Sequence, residues 1–281
     1  MNDINKSKSY NKLTENDKIN IINCYYDKNN IHKTFKEMYT FLNVSERAFS
    51  RVLKENGINT KRINRYTIKN EDYFENINTE LKAYFLGFIY ADGAIGTNND
   101  IILNLKFSNY NIKLINKFIN EIGYSGNYNI KKGHNPLSKE NAIRLNFSCE
   151  KMWNDLNRLG IIPNKSLELK ILPCINNSLY CHFIRGYFDG DGSICVYYDN
   201  YDQRERYSLS ILGTYDFLTD LQNKLYDLCL IKPIKLHKTK SYNTKELNHR
   251  GKKNIIKIRE FLYKYATFYI DYKRDKLFSI T

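Results

Sequence analysis

Ala83-Tyr84-Phe85-Leu86-Gly87-Phe88-Ile89-Tyr90-Ala91-Asp92-Gly93-Ala94-Ile95 is matched further along by His182-Phe183-Ile184-Arg185-Gly186-Tyr187-Phe188-Asp189-Gly190-Asp191-Gly192-Ser193-Ile194, with the aspartates 99 positions apart. Each stretch reads as an apolar helix carrying small residues four positions apart, then Asp-Gly, then a strand. Gly87 with Ala91, and Gly186 with Gly190, place those small residues on one helix face a turn apart, which lets two helix backbones approach closely. The two helices are therefore expected to pack on each other. The glycine after each aspartate is expected to stop its helix in the left-handed conformation. An aspartate at a helix C-terminus is electrostatically misplaced, because that end already carries partial negative charge, and two such carboxylates would meet here. A positive group must be supplied. A divalent cation such as Mg²⁺, held by Asp92 and Asp191 and completed by water and phosphate oxygen, meets that need. An isolated Asp-Gly is a common turn signal, but two copies with matching upstream and downstream order are not explained that way. A calcium loop starting at Asp189 fails as well, since its sixth position would be Ile194 and its twelfth Asn200.

The segments following each helix repeat the same order. After Asp92 the pattern predicts a strand near 101–107, a helix near 112–122, strands near 126–132 and 142–148, and a helix near 151–159. After Asp191 it predicts strands near 193–199 and 206–212, a helix over 217–229, strands near 233–238 and 242–248, and a helix near 255–265. The fold class that follows is α+β: duplicated αββαββα units with antiparallel sheets, related by a pseudo-twofold, spanning 79–175 and 176–281.

Ahead of them, residues 1–60 read as a small all-α domain. Thr14 and Asp17 are capping residues for a helix carrying Ile19, Ile21 and Ile22; Phe35, Met38, Tyr39 and Leu42 form a second apolar face. Asn43-Val44-Ser45 makes a turn, and a third helix over 46–56 turns Ala48, Phe49, Val52 and Leu53 inward before Gly57 stops it. Three short helices with a tight turn before the last resemble a helix-turn-helix, in which Arg47, Ser50, Arg51 and Lys54 would face DNA. Residues 61–78 read as a linker, opening on a basic arm with Arg62 and Arg65 suited to a nucleic-acid backbone.

Composition supports a polyanionic partner. The net charge is +14, and it is unevenly spread: residues 1–70 carry 14 Lys/Arg against 7 Asp/Glu and residues 231–281 carry 14 against 4, whereas the stretch between carries 16 against 19. Two terminal basic blocks suit clamping a long anion. The abundance of Lys, Asn, Ile and Tyr also fits an A+T-biased genome, which discounts the total but not its distribution. The six cysteines sit mostly in apolar runs without Cys-x-x-Cys spacing, so neither a disulfide framework nor a zinc site is expected. The polar start and the absence of any run near the ~18–20 apolar residues of a bilayer span point to a soluble, intracellular protein with no membrane partner.

At the two motifs the chain resembles the LAGLIDADG homing endonucleases, in the monomeric form that carries both motifs in one polypeptide. Phe85 to Gly93 and Ile184 to Gly192 occupy the nine motif positions, with Tyr90 replacing an acid and Arg185 a small residue. The resemblance, which covers roughly residues 70–281, implies that Asp92 and Asp191 bind the catalytic metal, that Lys170, ahead of Ile171-Leu172-Pro173, lies near the active site, and that Lys273 is its symmetry-related partner. It implies saddle-shaped sheets that read a long double-stranded DNA target in the major groove. Strand polarity suggests Asn104, Lys106, Lys131, Arg144, Arg204, Arg206, Lys235 and Lys245 as base readers. The activity implied is metal-dependent hydrolysis of one phosphodiester on each strand; a non-cleaving DNA-binding regulator and an intron RNA maturase are the alternatives on the same scaffold.

Overall fold

The computed structural model describes residues 7–27, 30, 33–58, 66–131, 141–163, 169, 171–241 and 243–280. The chain divides into two compact units, Met1–Thr67 and Ile68–Thr281.

In the first unit α1 (Glu15–Tyr26), α2 (Phe35–Phe41) and α3 (Glu46–Glu55) enclose a small core of Ile21, Met38, Val44, Phe49, Val52 and Leu53. The caps follow the residue types. Thr14 accepts from the Asp17 N–H while Asp17 returns a bond to the Thr14 N–H, Thr34 and Glu37 do the same for α2, and Ser45 accepts from the Ala48 N–H. The turn 42–45 is tight because Asn43 adopts φ +52°, and Gly57 ends α3 at φ +66°. Ile19, expected inside, is exposed, since only Ile21 and Ile22 point toward the core.

The second unit holds both repeats. The first runs α4 (Glu80–Asp92), β1 (Gly93–Ile95), β2 (Asp100–Lys106), α5 (Asn109–Ile122), β3 (Asn129–Lys131), β4 (Ala142–Ser148) and α6 (Glu150–Arg158). The other runs α7 (Tyr180–Asp191), β5 (Gly192–Asp199), β6 (Arg204–Gly213), α8 (Tyr215–Cys229), β7 (His237–Lys238), β8 (Lys245–His249) and α9 (Lys252–Tyr263), followed by α10 (Asp271–Phe278). Each forms a four-stranded antiparallel sheet in the same order, β1-β2-β4-β3 and β5-β6-β8-β7. Alternation sets the faces: in β2 and β4 Ile101, Leu103, Leu105, Ile143, Leu145 and Phe147 are buried, leaving Asn104, Lys106, Arg144 and Asn146 on the other side.

Further details depart from the sequence reading. Residues 70–78 are not a linker, because Tyr73 and Phe74 are buried in the main core against the Phe118 ring. The strand expected over 233–238 shortens to His237–Lys238, and the helix α10 was not anticipated. Of the cysteines, all free among the described residues, Cys174 and Cys195 are exposed rather than core. No helix among the described residues is long and apolar enough to cross a membrane.

Candidate active site

The site is built where α4 and α7 end side by side. A Cβ placed on Gly87 would overlap the Phe183 carbonyl oxygen and lie 3.0 Å from the Tyr187 nitrogen; one on Gly186 would overlap the Tyr84 carbonyl oxygen and lie 3.0 Å from the Phe88 nitrogen. Each glycine faces the residues three before and one after its counterpart, so the contact itself is twofold. No side chain larger than hydrogen fits at either position, which is why the small-residue signal was legible. One turn on, Gly190 packs against Ala91, and a Cβ on Gly190 would come 3.2 Å from Asp92 Oδ2. All four expected interface residues are therefore in the contact.

Asp92 is exposed and Asp191 half-buried at the two helix ends. The glycines that follow do not act as expected: Gly93 has φ −85° and Gly192 φ −90°, extended rather than left-handed. They are small because each strand leaves its helix folded back on it. A Cβ on Gly93 would lie 2.8 Å from the Ile89 carbonyl oxygen, and one on Gly192 would overlap the Phe188 ring.

A positive group is present at the end of α7, and it is a lysine. Lys273, on α10 and only 5% exposed, donates from Nζ to the carbonyls of Phe188 (2.7 Å), Asp189 (2.7 Å) and Gly192 (2.8 Å). The Phe188 carbonyl also accepts from the Gly192 N–H, whereas those of Asp189 and Gly192 lie at the end of the helix, where carbonyls run out of intrahelical donors. Burial pulls the ammonium below its ordinary pKa, opposed by the charges of Asp189, Asp92 and Asp191. Tyr187 also belongs to the site and was missed in the sequence, where it reads as one more aromatic of the motif. Its hydroxyl donates to the Leu212 carbonyl at 2.8 Å, and burial together with Asp191 and Asp92 holds its pKa well above the phenol range. Tyr272, stacked on Tyr110 with ring centroids 4.7 Å apart, is pushed up to about 12 by burial, by Tyr110, and by Asp189 and Asp92.

Behind the helix ends Asp189 is buried, accepting from the Tyr84 hydroxyl (2.7 Å) and the Ile270 N–H (3.1 Å), with its Oδ1 lacking a hydrogen-bond partner. Burial pushes its pKa up to about 6.

Among the described residues no three or more His, Cys, Asp or Glu side chains gather as a closed metal cage. Two carboxylates at adjacent helix ends instead fit an open site for a hard divalent cation, one that keeps most of its coordination for water and phosphate. The glycine at 190 keeps room beside Asp92 for such a group.

Around the site, Asn104, Arg144 and Asn129 stand in register across three strands, as do Lys106, Ala142 and Lys131. In the other sheet Arg206 pairs with Asp199 and Asp202, and Arg204 with Asp202 at 3.0 Å, so these two arginines are neutralised within their hairpin. Lys235 is exposed ahead of β7. Lys245 was expected to face outward, but its register sets it with the buried Leu247 and His249 on the core side of β8. In α3, Arg47, Ser50 and Lys54 are exposed as expected, whereas Arg51 stacks over Tyr10 at 4.0 Å and pairs with Glu55 at 2.8 Å. Lys170, Arg62 and Arg65 lie outside the described residues.

No family model and no curated protein matches the chain. Solved structures do. The homing endonuclease I-WcaI bound to its DNA recognition sequence is 16% identical over 73% of this chain and 91% of its own, with a TM-score of 0.49. Meganuclease I-SmaMI bound to uncleaveable DNA is 12% identical over 69% and 88%, with a TM-score of 0.48. The LAGLIDADG meganuclease I-AabMI bound to uncleaved DNA is 11% identical over 72% and 89%, with a TM-score of 0.46. Those are likenesses of fold, and the part of this chain that itself resembles the LAGLIDADG homing endonucleases is the pair of motif helices with Asp92 and Asp191 at their adjoining ends.

Proposed function

We propose that this chain is a site-specific endonuclease that hydrolyses one phosphodiester on each strand of double-stranded DNA, using a divalent cation held by Asp92 and Asp191. The observation that carries this reading is the twofold contact of α4 and α7, which sets two carboxylates side by side between two sheets of equal topology. Two equivalent sites at one seam suit two antiparallel strands.

The cation, when bound, supplies Lewis-acid polarisation of the phosphate and a more acidic water. This chain's residues do the rest. Asp92 and Asp191 provide oxygen ligands on rigid helix ends. Lys273 neutralises the carbonyl-rich end of α7, so that a carboxylate can remain charged there. Lys170 is the proposed counterpart on the first repeat. Asn104, Lys106, Asn129, Lys131 and Arg144 line one sheet face that would form half of a major-groove saddle, with Lys235 on the other half, where Arg204 and Arg206 would first have to leave Asp199 and Asp202. The first unit adds a second reading head of helix-turn-helix type, with α3 in the groove and Arg47, Ser50 and Lys54 toward the bases. Arg62 and Arg65 would follow the backbone between the two.

Cleavage of a randomised-site plasmid library in Mg²⁺ tests this. Linear product of defined sequence that is lost in Asp92→Asn and in Asp191→Asn supports the nuclease. Tight, salt-sensitive binding without cutting, unchanged in both variants, would replace it with a non-cleaving regulator.

A further inference from the structure

Arg185, fully buried in α7, donates from Nη2 to Glu80 Oε1 at 2.6 Å, from Nε to the Phe268 carbonyl at 3.0 Å and from Nη1 to the Leu262 carbonyl at 2.7 Å. Glu80, in the first turn of α4, also accepts from the Thr267 N–H (2.7 Å), the Thr267 hydroxyl (2.7 Å) and the Phe268 N–H (3.1 Å). With Asp189 holding the Ile270 N–H at 3.1 Å, the whole segment 262–270 is tied to the two motif helices through side chains of both. That segment runs directly into α10, which carries Lys273.

A buried ion pair is a poor way to gain stability, since an apolar pair of similar volume serves as well or better. The symmetry-related pair of positions makes the point. The positions 99 residues away from Arg185 and Glu80 are Leu86 and Leu179, with no charge at either. The polar pair therefore needs another reason, and what the tied segment delivers is Lys273, whose Nζ is committed to the carbonyls of Phe188, Asp189 and Gly192.

We propose that Glu80 and Arg185 are positioning residues: by clamping 262–270 they hold the Lys273 ammonium as a fixed counter-ion where α7 and α4 end, beside Asp191 and Asp92. The consequence for cutting rests on the nuclease reading above, whereas the clamp itself does not. Arg185 is fully buried and Glu80 is committed to Arg185, Thr267 and Phe268, so both act through the segment they hold. Loosening the clamp lets the ammonium leave the end of α7, and the two carboxylates then lose its nearby positive charge.

The test uses the full chain with Glu80→Leu and Arg185→Leu together, which copies Leu179 and Leu86 at the symmetry-related positions and leaves no lone buried charge. Acylation of lysines by an amine-reactive acetylating reagent, read residue by residue by mass spectrometry, reports Lys273 without any need for activity. We expect Lys273 labelling to rise about tenfold over wild type as its local opening becomes easier. We expect single-turnover cleavage to slow by about tenfold or more, the scale on which preorganised charge acts, while DNA Kd stays within about twofold. Unchanged labelling overturns the proposal, as does increased labelling with unchanged cleavage, or slowed cleavage matched by an equal loss of binding. A wild-type protein that cuts no DNA would sink the nuclease reading alone, and labelling would still decide the clamp. Should the double variant not fold, Glu80→Gln, which keeps the shape and removes the charge, is expected to raise Lys273 labelling about threefold by the same local opening; no rise overturns the proposal.

Discussion

Where α4 carries Leu86 and Tyr90, α7 carries Arg185 and Asp189, and where α4 begins with Glu80 the run leading into α7 has Leu179. The first repeat fills the space behind its motif with apolar contacts and one hydroxyl, Tyr90, which donates to the Leu159 carbonyl. Behind the second motif the equivalent space holds polar groups drawn from both repeats, Tyr84 and Glu80 of α4 with Asp189, Arg185 and Lys273. Yet the seam between them keeps its twofold almost atom for atom, with Gly87 and Gly186 each 3.0 Å, by a placed Cβ, from a backbone nitrogen of the other helix. Duplication has thus preserved what steric contact demands and released what lies one layer away. The halves are equal at the surface that would face a substrate and unequal in how that surface is supported.

The largest expected effect tests the equal part. Asp92→Asn and Asp191→Asn should each cut the linearisation rate by at least about 10²-fold, the scale of losing one preorganised charge in a reaction site, with nicked circles as the remaining product. An agarose assay separating nicked from linear plasmid reads this. Undiminished linearisation by either variant would break the equivalence of the halves.

Next comes the seam. Gly87→Ala and Gly186→Ala should each lower unfolding free energy by about 3 kcal/mol or more, because the added methyl meets backbone rather than a side chain that can swing away. Urea titrations of the two should give matching losses. A tolerated alanine at one position only would show that the twofold is not held there.

His249 sharpens the unequal part. It is buried in β8 with its Nε2 lacking a hydrogen-bond partner, and burial pulls its pKa down to about 4. A folded pKa below the unfolded value means that the unfolded chain binds more protons in between. Stability is therefore full above about pH 6.5 and declines as pH falls toward 4, by about 3 kcal/mol in all. His249→Leu should flatten that slope in denaturant titrations at pH 7, 5.5 and 4. A slope as steep in the variant as in wild type would assign the acid sensitivity elsewhere.

The smallest effect concerns the first unit. Arg47→Ala and Lys54→Ala should each reduce the slope of log affinity against log salt by about 1, since each would remove a phosphate-neutralising charge. Arg51→Ala should change it less, because that guanidinium is already stacked on Tyr10 and paired with Glu55. Equal slopes in all three would remove α3 from the DNA interface.

Much of this is legible in the amino-acid sequence. The duplicated order of elements, the sheet faces of β2 and β4, the caps at Thr14 and Ser45 and the four small residues of the seam follow from periodicity and local chemistry. Such features act over a few residues, where spacing along the chain equals position in space. The base-reading candidates fared less evenly, because polarity alone cannot say whether an arginine faces solvent or its own hairpin's aspartates, as Arg206 does, or which face of a short strand Lys245 shares.

By itself the sequence determined that two helices meet through glycine and that each ends in an aspartate needing positive charge. The resemblance placed Lys273 near the site, but nothing along the chain determined which groups its ammonium answers. Only the tertiary structure brought Lys273 to the end of α7, tied Glu80 to Arg185 across 105 positions, and made Gly93 and Gly192 small for packing rather than for a left-handed turn. The physical reason is range. A helix end creates an electrostatic demand locally, whereas the group that meets it comes from whichever distant segment the folded backbone carries past, and that distance is invisible along the chain.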